Sequence, residues 1–143
     1  MKLKITLVVA LVASCSWIVG GVLPAHATTP DTNGRIAFSM DLGLGPEIYT
    51  IKPNGLGVQQ LTEVDGSAES PDWSPDGTRI VFHIVDQGLW MMRGDGSQLH
   101  QIVASGFQPA FMPDGTHIVY DCGDCPGGPG IFLMKCWSAS GRC

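Results

Sequence analysis

The cysteines near the C-terminus are the residues best suited to chemistry. Cys122 and Cys125 have C-x-x-C spacing, and Cys136 and Cys143 follow them seven residues apart. A C-x-x-C serves redox chemistry when it begins a helix, and structural zinc sites usually have two such pairs. Here the pair lies on a glycine-rich loop between two predicted strands. Disulfides are therefore the favoured state in an exported chain, with free thiols and a metal or redox site as alternatives.

Cys136 ends a predicted strand, and Cys143 comes where a paired strand would begin. Cysteines that face each other on paired strands are close enough to bridge after small adjustments. We therefore expect a Cys136–Cys143 disulfide. Cys122 and Cys125 are then left to pair with each other or to stay free.

The histidines and serines show no catalytic pattern. His83, His100 and His117 lie on or beside predicted strands, the serines lie in turns, and no Gly-x-Ser-x-Gly occurs. Asp121 and Asp124 do not match the spacing of a calcium loop. We predict no catalytic, cofactor-binding or metal-binding residue and a non-enzymatic chain.

An internal repeat supplies the elements that position these residues. The segment SPDWSPDGTRIVF at residues 70–82 returns as QPAFMPDGTHIVY at residues 108–120, an offset of 38. Each copy has an aromatic, a Pro-Asp-Gly turn and a β-branched run, which together predict a hairpin. Proline presets the first corner, aspartate bonds its own backbone, and glycine takes the positive φ. The predicted turn residues are Pro75, Asp76, Gly77, Pro113, Asp114 and Gly115. Asp72 precedes the aromatic residue Trp73 and is a candidate to form a hydrogen bond across the sheet that contains this hairpin.

A degenerate third copy begins at Gly34, and each copy is followed by an apolar strand that ends in a basic residue. A repeat of about 40 residues with several short strands is typical of a β-propeller blade. We predict an all-β fold of tandem four-stranded antiparallel blades, about two and a half in number. The predicted blades span residues 34–69, 70–106 and 107–143.

The repeat resembles that of TolB-like β-propellers, which are related to WD-type repeats. DWSPDGTRIVF at 72–82, GLWMMRGDGSQLHQI at 88–102 and EIYTIKPNGLGVQQLT at 47–62 carry the resemblance, which covers roughly residues 34–141. It is specific for the blade and not for a function. The blade count departs from the 4–8 of closed propellers. The alternatives are a truncated propeller, a small open sheet stack, or several chains assembled into one ring.

The N-terminal residues 1–27 have the pattern of a signal peptide. Lys2 and Lys4 precede an apolar run over residues 5–23, and Ala25-His26-Ala27 is a small-x-small cleavage site. Two alternatives remain: a lipobox at Val12-Ala13-Ser14-Cys15 that would place a lipid on Cys15, and an uncleaved membrane anchor. The mature domain would then span residues 28–143.

Removal of the signal leaves six basic residues against thirteen acidic ones, a net charge of −7. Nucleic-acid affinity comes largely from basic neutralisation of phosphates, so an acidic domain is a poor candidate for nucleic-acid binding. We expect no nucleic-acid partner.

The expected function is that of an exported binding or scaffold module in the periplasm or outside the cell, without a cofactor. The resemblance implies a protein partner in the cell envelope, and open blade edges favour self-association. Membrane contact is expected only through the N-terminal segment, if it is uncleaved or lipidated at Cys15. The alternatives are the propeller part of an exported hydrolase such as a prolyl peptidase, and a gene fragment without function.

The first prediction concerns export. The exported protein should begin at Thr28, because cleavage after Ala27 fits the small-x-small rule. Intact-mass analysis checks this. A mass that includes residues before Thr28, or a diacylglycerol adduct on Cys15, contradicts it.

Overall fold

A computed structural model describes residues 34–136, which form ten β-strands and contain no helix. The predicted signal peptide, its cleavage site and Cys143 lie outside the described residues. The strands are β1 (Ile36–Asp41), β2 (Pro46–Ile51), β3 (Gln59–Gln60), β4 (Ala68–Trp73), β5 (Arg79–Ile84), β6 (Gly88–Arg93), β7 (His100–Val103), β8 (Phe107–Phe111), β9 (His117–Cys122) and β10 (Gly130–Lys135).

These strands form three antiparallel sheets, which we call blades. Blade 1 has the order β1-β2-β3, blade 2 the order β4-β5-β6-β7, and blade 3 the order β10-β9-β8. One complete four-stranded blade thus stands between two three-stranded ones. The prediction of an all-β fold of tandem antiparallel blades, as in part of a β-propeller, is confirmed, with three or four strands in each blade among the described residues.

The Pro-Asp-Gly turns of blades 2 and 3 have the same geometry. Gly77 has φ 68° and Gly115 has φ 64°, a left-handed conformation that glycine adopts without steric penalty. The Gly77 amide donates to the Ser74 carbonyl at 2.8 Å, and the Gly115 amide donates to the Met112 carbonyl at 2.9 Å. Each turn closes in the same way and fixes the register of the hairpin that it joins.

The first strands of blades 2 and 3, β4 and β8, share a second irregularity. Each has a shift in register, and the residue within it has a positive φ, 53° at Ser70 and 51° at Gln108. These two residues are equivalent in the repeat, and each precedes a proline. Bulges of this kind bend a strand and re-aim its side chains. The bend precedes Asp72 in β4.

Blade 2 is buried on both faces because its strands alternate between two cores. Ile80, Phe82 and Ile84 of β5 pack in one cluster with Ile48 of blade 1. Val81 lies in a second cluster, whose other buried members are Met91, Phe111, Ile118 and Cys136. Because side chains alternate along a strand, one run of apolar residues binds both neighbouring blades.

A substitution in the blade 2 turn tests this backbone geometry. Gly77→Val should reduce the free energy of unfolding by about 1–3 kcal/mol, because a β-branched residue is strained at positive φ. Gly123→Val is the control, since Gly123 has open space around its Cα and no positive φ. Denaturant unfolding of both variants measures the difference. Equal stability would show that the turn does not require glycine.

Candidate interaction surfaces

A partly buried carboxylate, that of Asp72, joins blade 2 to blade 3. Oδ2 of Asp72 accepts a hydrogen bond from the backbone N–H of Phe111 at 2.7 Å. Burial raises the pKa of Asp72, against the opposing effect of the hydrogen bonds from the amides of Phe111 and Trp73. The sequence indicated a bond across the blade, and the structure shows that the bond reaches the next blade.

Arg79 supplies a second link to the same residue. Its guanidinium carbon lies 5.5 Å from the centre of the Phe111 ring, a cation–π distance. Its Nη2 also donates to the carbonyl of Gly115 at 3.3 Å. The side chains of Asp72 and Arg79 therefore hold both the backbone and the ring of Phe111.

The equivalent residues of blade 3 do not repeat these links. Ala110 stands where blade 2 has Asp72, and His117 stands where it has Arg79. Nδ1 of His117 lies 2.6 Å from Oδ2 of Asp114 and 3.0 Å from Oγ1 of Thr116. Since both contacts use one ring nitrogen, they do not form a proton relay of the hydroxyl–histidine–carboxylate type.

Asp114 is held in its ionised form by this turn. The amide of Thr116, then the side chain of His117, lowers the pKa of Asp114 to about 2. The group is exposed and lies within a local turn. We interpret it as a structural element of the hairpin and not as a catalytic acid.

A cleft of about 280 Å³ lies beside a disulfide at one end of blades 2 and 3. Cys122 and Cys125 are bonded, with Cα atoms 5.7 Å apart. The Ser105 hydroxyl faces the two sulfurs at 3.6 and 3.7 Å. Burial lowers the pKa of His83, which lies in the same cleft with its ring edge-on to Phe107. The Ser105 hydroxyl is thus directed at the disulfide sulfurs and not at His83. Among residues 34–136 no serine is hydrogen-bonded to a histidine, as a serine nucleophile with a histidine base would be.

The remaining cysteine of the described part is Cys136, which is buried and disulfide-bonded. Its predicted partner Cys143 lies outside the described residues, so that pairing stays a prediction. Within residues 34–136, no three His, Cys, Asp or Glu side chains come together as a group that could hold a metal ion.

A larger cleft, of about 430 Å³, lies on blade 1. We call it the blade 1 cleft and define it by its lining residues, which are Leu42, Leu44, Gly45, Glu47, Tyr49, Gln60, Glu63 and Val64. Leu42 and Leu44 are exposed, and Leu44 is fully so. The cleft combines apolar side chains with two carboxylates.

Hydrogen bonds fix both walls of the blade 1 cleft. Oδ1 of Asp41 accepts from the amides of Gly43 and Gly45 at 2.6 and 3.1 Å, which shapes the loop that carries the leucines. On the opposite wall, Glu47 accepts from the Thr62 hydroxyl and, at 2.9 Å, from the Val64 amide. The sequence interpretation missed this site. Its signal is the segment DLGLG at 41–45, in which two leucines alternate with glycines outside any strand pattern.

Adjacent antiparallel blades that pack face to face define a segment of a β-propeller. Within the described residues there is no helix with the length and apolar character needed to cross a membrane. The three blades and their face-to-face packing therefore give residues 34–136 the architecture of a β-propeller segment.

No protein-family model matches the chain. Over 49 residues the chain is 39% identical to the Tol-Pal system protein TolB of Nitratidesulfovibrio vulgaris, a match of 31% of this chain and 11% of the relative. Among solved structures, a putative TolB from Agrobacterium tumefaciens is similar, with a TM-score of 0.64 and 24% identity. That match covers 71% of this chain and 42% of the other.

TolB from Acinetobacter baumannii matches with a TM-score of 0.63 and 22% identity, over 76% of this chain and 28% of that one. A chain of a nidogen/laminin complex has a TM-score of 0.59 at 14% identity, over 73% of this chain and 41% of that one. This chain spans less than half the length of each of these relatives. Its blades have the fold of part of a TolB-like β-propeller.

The link between blades 2 and 3 yields a prediction. Asp72→Ala should lower the free energy of unfolding by about 1–3 kcal/mol, because it leaves the amide of the buried Phe111 without its acceptor. Asp72→Asn is the matched control, since its side-chain oxygen can still accept this bond. Chemical denaturation compares the two variants. If Asn is as damaging as Ala, the carboxylate acts by its charge and not as an acceptor.

Proposed function

We propose that this chain is an exported, non-enzymatic binding module that recognises a protein partner in the cell envelope through the blade 1 cleft. The observation that carries the proposal is the exposure of Leu42 and Leu44 above a cleft with two carboxylates. Exposed apolar side chains clustered within a polar rim are typical of protein-binding sites.

The leucines supply the attraction in this proposal. Burying a leucine side chain contributes about 1.5–3 kcal/mol, so two such residues form an effective apolar anchor. Their loop is already ordered by Asp41, so binding requires little additional ordering. A partner segment with an apolar side chain would occupy the space between the loop and Val64.

The carboxylates supply selectivity. Glu63 is exposed, whereas Glu47 is half-buried and bonded to Thr62 and Val64. Charge complementarity favours a partner with basic side chains beside its apolar anchor, and it disfavours acidic partners. The overall acidity of the chain, −5 with the N-terminal segment included, acts in the same direction.

Two observations support the exported location. The described part contains a disulfide between Cys122 and Cys125, and disulfides persist in oxidising compartments. The relative from Nitratidesulfovibrio vulgaris is named as a protein of the Tol-Pal system, which supports a role in a multi-protein assembly. Together these observations support the proposed periplasmic or extracellular binding role.

Site-specific photo-crosslinking tests the proposal. A photoreactive amino acid placed at Leu44, in cells that export the protein, should form one discrete adduct with a protein partner. The same amino acid at Leu56, which is also exposed but lies outside the cleft, is the control. Equal adducts at both positions, or none at Leu44, would contradict the proposal.

A charge reversal then tests the selectivity. With the crosslinker at Leu44, Glu63→Lys should reduce the adduct several-fold, because it opposes a basic partner. Asp124→Lys is the matched control, since Asp124 is exposed and does not line the blade 1 cleft. An equal reduction by both variants would indicate an effect of net charge alone.

A further inference from the structure

The Cys122–Cys125 disulfide closes a very short loop. Cys122 ends β9, Cys125 lies in the loop that follows, and the two are three positions apart. A disulfide stabilises a fold mainly by restricting the unfolded chain, and the shortest loops gain least from it. The pairing of β9 with β10, which places Cys122 opposite Gly130, already fixes this hairpin. The disulfide is therefore not the main support of blade 3.

The two sulfur atoms have different surroundings. Cys122 is fully buried, whereas Cys125 keeps 8% of its surface exposed and has the exposed residues Asp124 and Pro126 on either side. Gly123 has open space around its Cα, so the loop can shift there without a clash. Because exchange depends on which sulfur an incoming thiolate can reach, Cys125 is the sulfur open to attack.

Close packing directs Ser105 at this pair of sulfurs. A Cβ atom at Gly88 would lie 2.7 Å from the amide nitrogen of Ser105, and one at Gly106 would lie 2.7 Å from an aromatic ring of β9. Glycine at both positions therefore lets this segment come close to β6 and to β9. The Ser105 hydroxyl then lies 3.6 Å from Sγ of Cys122 and 3.7 Å from Sγ of Cys125.

This hydroxyl suits the reduced state as well as the oxidised one. A serine hydroxyl has one donor and two acceptor lone pairs, so it can donate to one sulfur and accept from the other once both are thiols. Hydrogen bonds to an ionised group are the stronger kind, so Ser105 also favours a thiolate at either cysteine. Cys122 and Ser105 both line the cleft of about 280 Å³, from whose solvent a thiolate can take a proton.

We propose that the Cys122–Cys125 disulfide is a thiol–disulfide exchange site, which accepts two electrons from a dithiol while the blades stay folded. Three features distinguish it from a structural cross-link: the short loop, the single sulfur near the surface, and the hydroxyl held against both sulfurs. The site shares no lining residue with the blade 1 cleft, so it goes beyond the proposed function and does not rest on it.

The exchange has two steps. A thiolate of the dithiol attacks Sγ of Cys125, a bond forms between these two sulfurs, and the Cys122–Cys125 bond breaks with its electron pair leaving on Sγ of Cys122. Ser105 donates a hydrogen bond to that thiolate, which then takes up a proton. The second thiolate of the dithiol attacks the donor sulfur of the mixed disulfide and releases Cys125. The dithiol leaves as a disulfide, and the protein holds two thiols.

Reduction of the native protein tests the proposal, with alkylation and peptide mass spectrometry to identify each opened bridge. Dithiothreitol or reduced thioredoxin should free the thiols of Cys122 and Cys125 at a rate that stays constant at denaturant concentrations below the unfolding transition. Reaction with reduced thioredoxin identifies a protein donor, and reaction with dithiothreitol alone identifies a small dithiol. Reaction with neither below that transition, or a rate that rises with denaturant as unfolding does, overturns the proposal.

Serine variants test the part played by Ser105. Ser105→Ala should slow the reduction by about ten-fold, because the departing thiolate loses its donor. Ser105→Thr keeps the hydroxyl and should restore most of the rate. Ser97→Ala is the matched control, since the Ser97 hydroxyl bonds Asp95 in an exposed turn and does not line the cleft. Equal rates for Ser105→Ala and the unmodified protein overturn the proposal.

Removal of the bridge separates an exchange site from a structural cross-link. A double variant with Cys122→Ala and Cys125→Ala keeps Cys136 and should retain the circular dichroism spectrum of the unmodified protein, because so short a loop contributes little to the fold. A double variant that fails to fold shows that the bond is a structural cross-link, and the proposal is then wrong.

Discussion

Each blade of this chain is apolar on both faces, so no blade can be stable alone. An isolated blade 2 would leave both sides of β5 in water, the side that carries Ile80 and Phe82 and the side that carries Val81. Stability therefore resides in the junctions between blades, as in other repeat proteins. Within residues 34–136, blade 2 packs against a neighbouring blade on both sides, and blades 1 and 3 do so on one side each.

The junction between blades 2 and 3 adds direction to this apolar packing. Hydrophobic burial alone permits sheets to slide past each other, because it does not depend on direction. Asp72 accepts a hydrogen bond from the amide of Phe111, and Arg79 contacts its ring. Together they fix the position of β8 along blade 2. The bulge at Ser70 bends β4 just before Asp72. The bulge therefore helps to orient the carboxylate that sets the position of blade 3 against blade 2.

The hairpins were predictable from the sequence because their information is local. Pro75-Asp76-Gly77 and its repeat at residues 113–115 carry their own turn chemistry, so the strands that follow were found in both blades. The start of β4 at Ala68 was not predicted, because Ser70 interrupts the strand pattern with a positive φ. A residue other than glycine takes this conformation rarely, so the residue type alone does not indicate it.

The surfaces were less predictable than the fold. In the sequence Leu42 and Leu44 look like ordinary loop residues, because the shape of their loop depends on hydrogen bonds that the amides of Gly43 and Gly45 donate to Asp41. The exposure of Ile131 and Leu133 depends on whether a neighbour is present, and the repeat pattern is the same in either case. Sequence periodicity shows which faces are apolar, but it does not show what covers them.

The central claim is that the partly buried carboxylate of Asp72 fixes the contact between blades 2 and 3. Native-state hydrogen exchange of the Phe111 amide, measured by NMR, tests it most directly. Although β8 is the edge strand of its sheet, this amide should be protected as strongly as the amides of β5. Exchange of the Phe111 amide as fast as that of the exposed Gly123 would contradict the account.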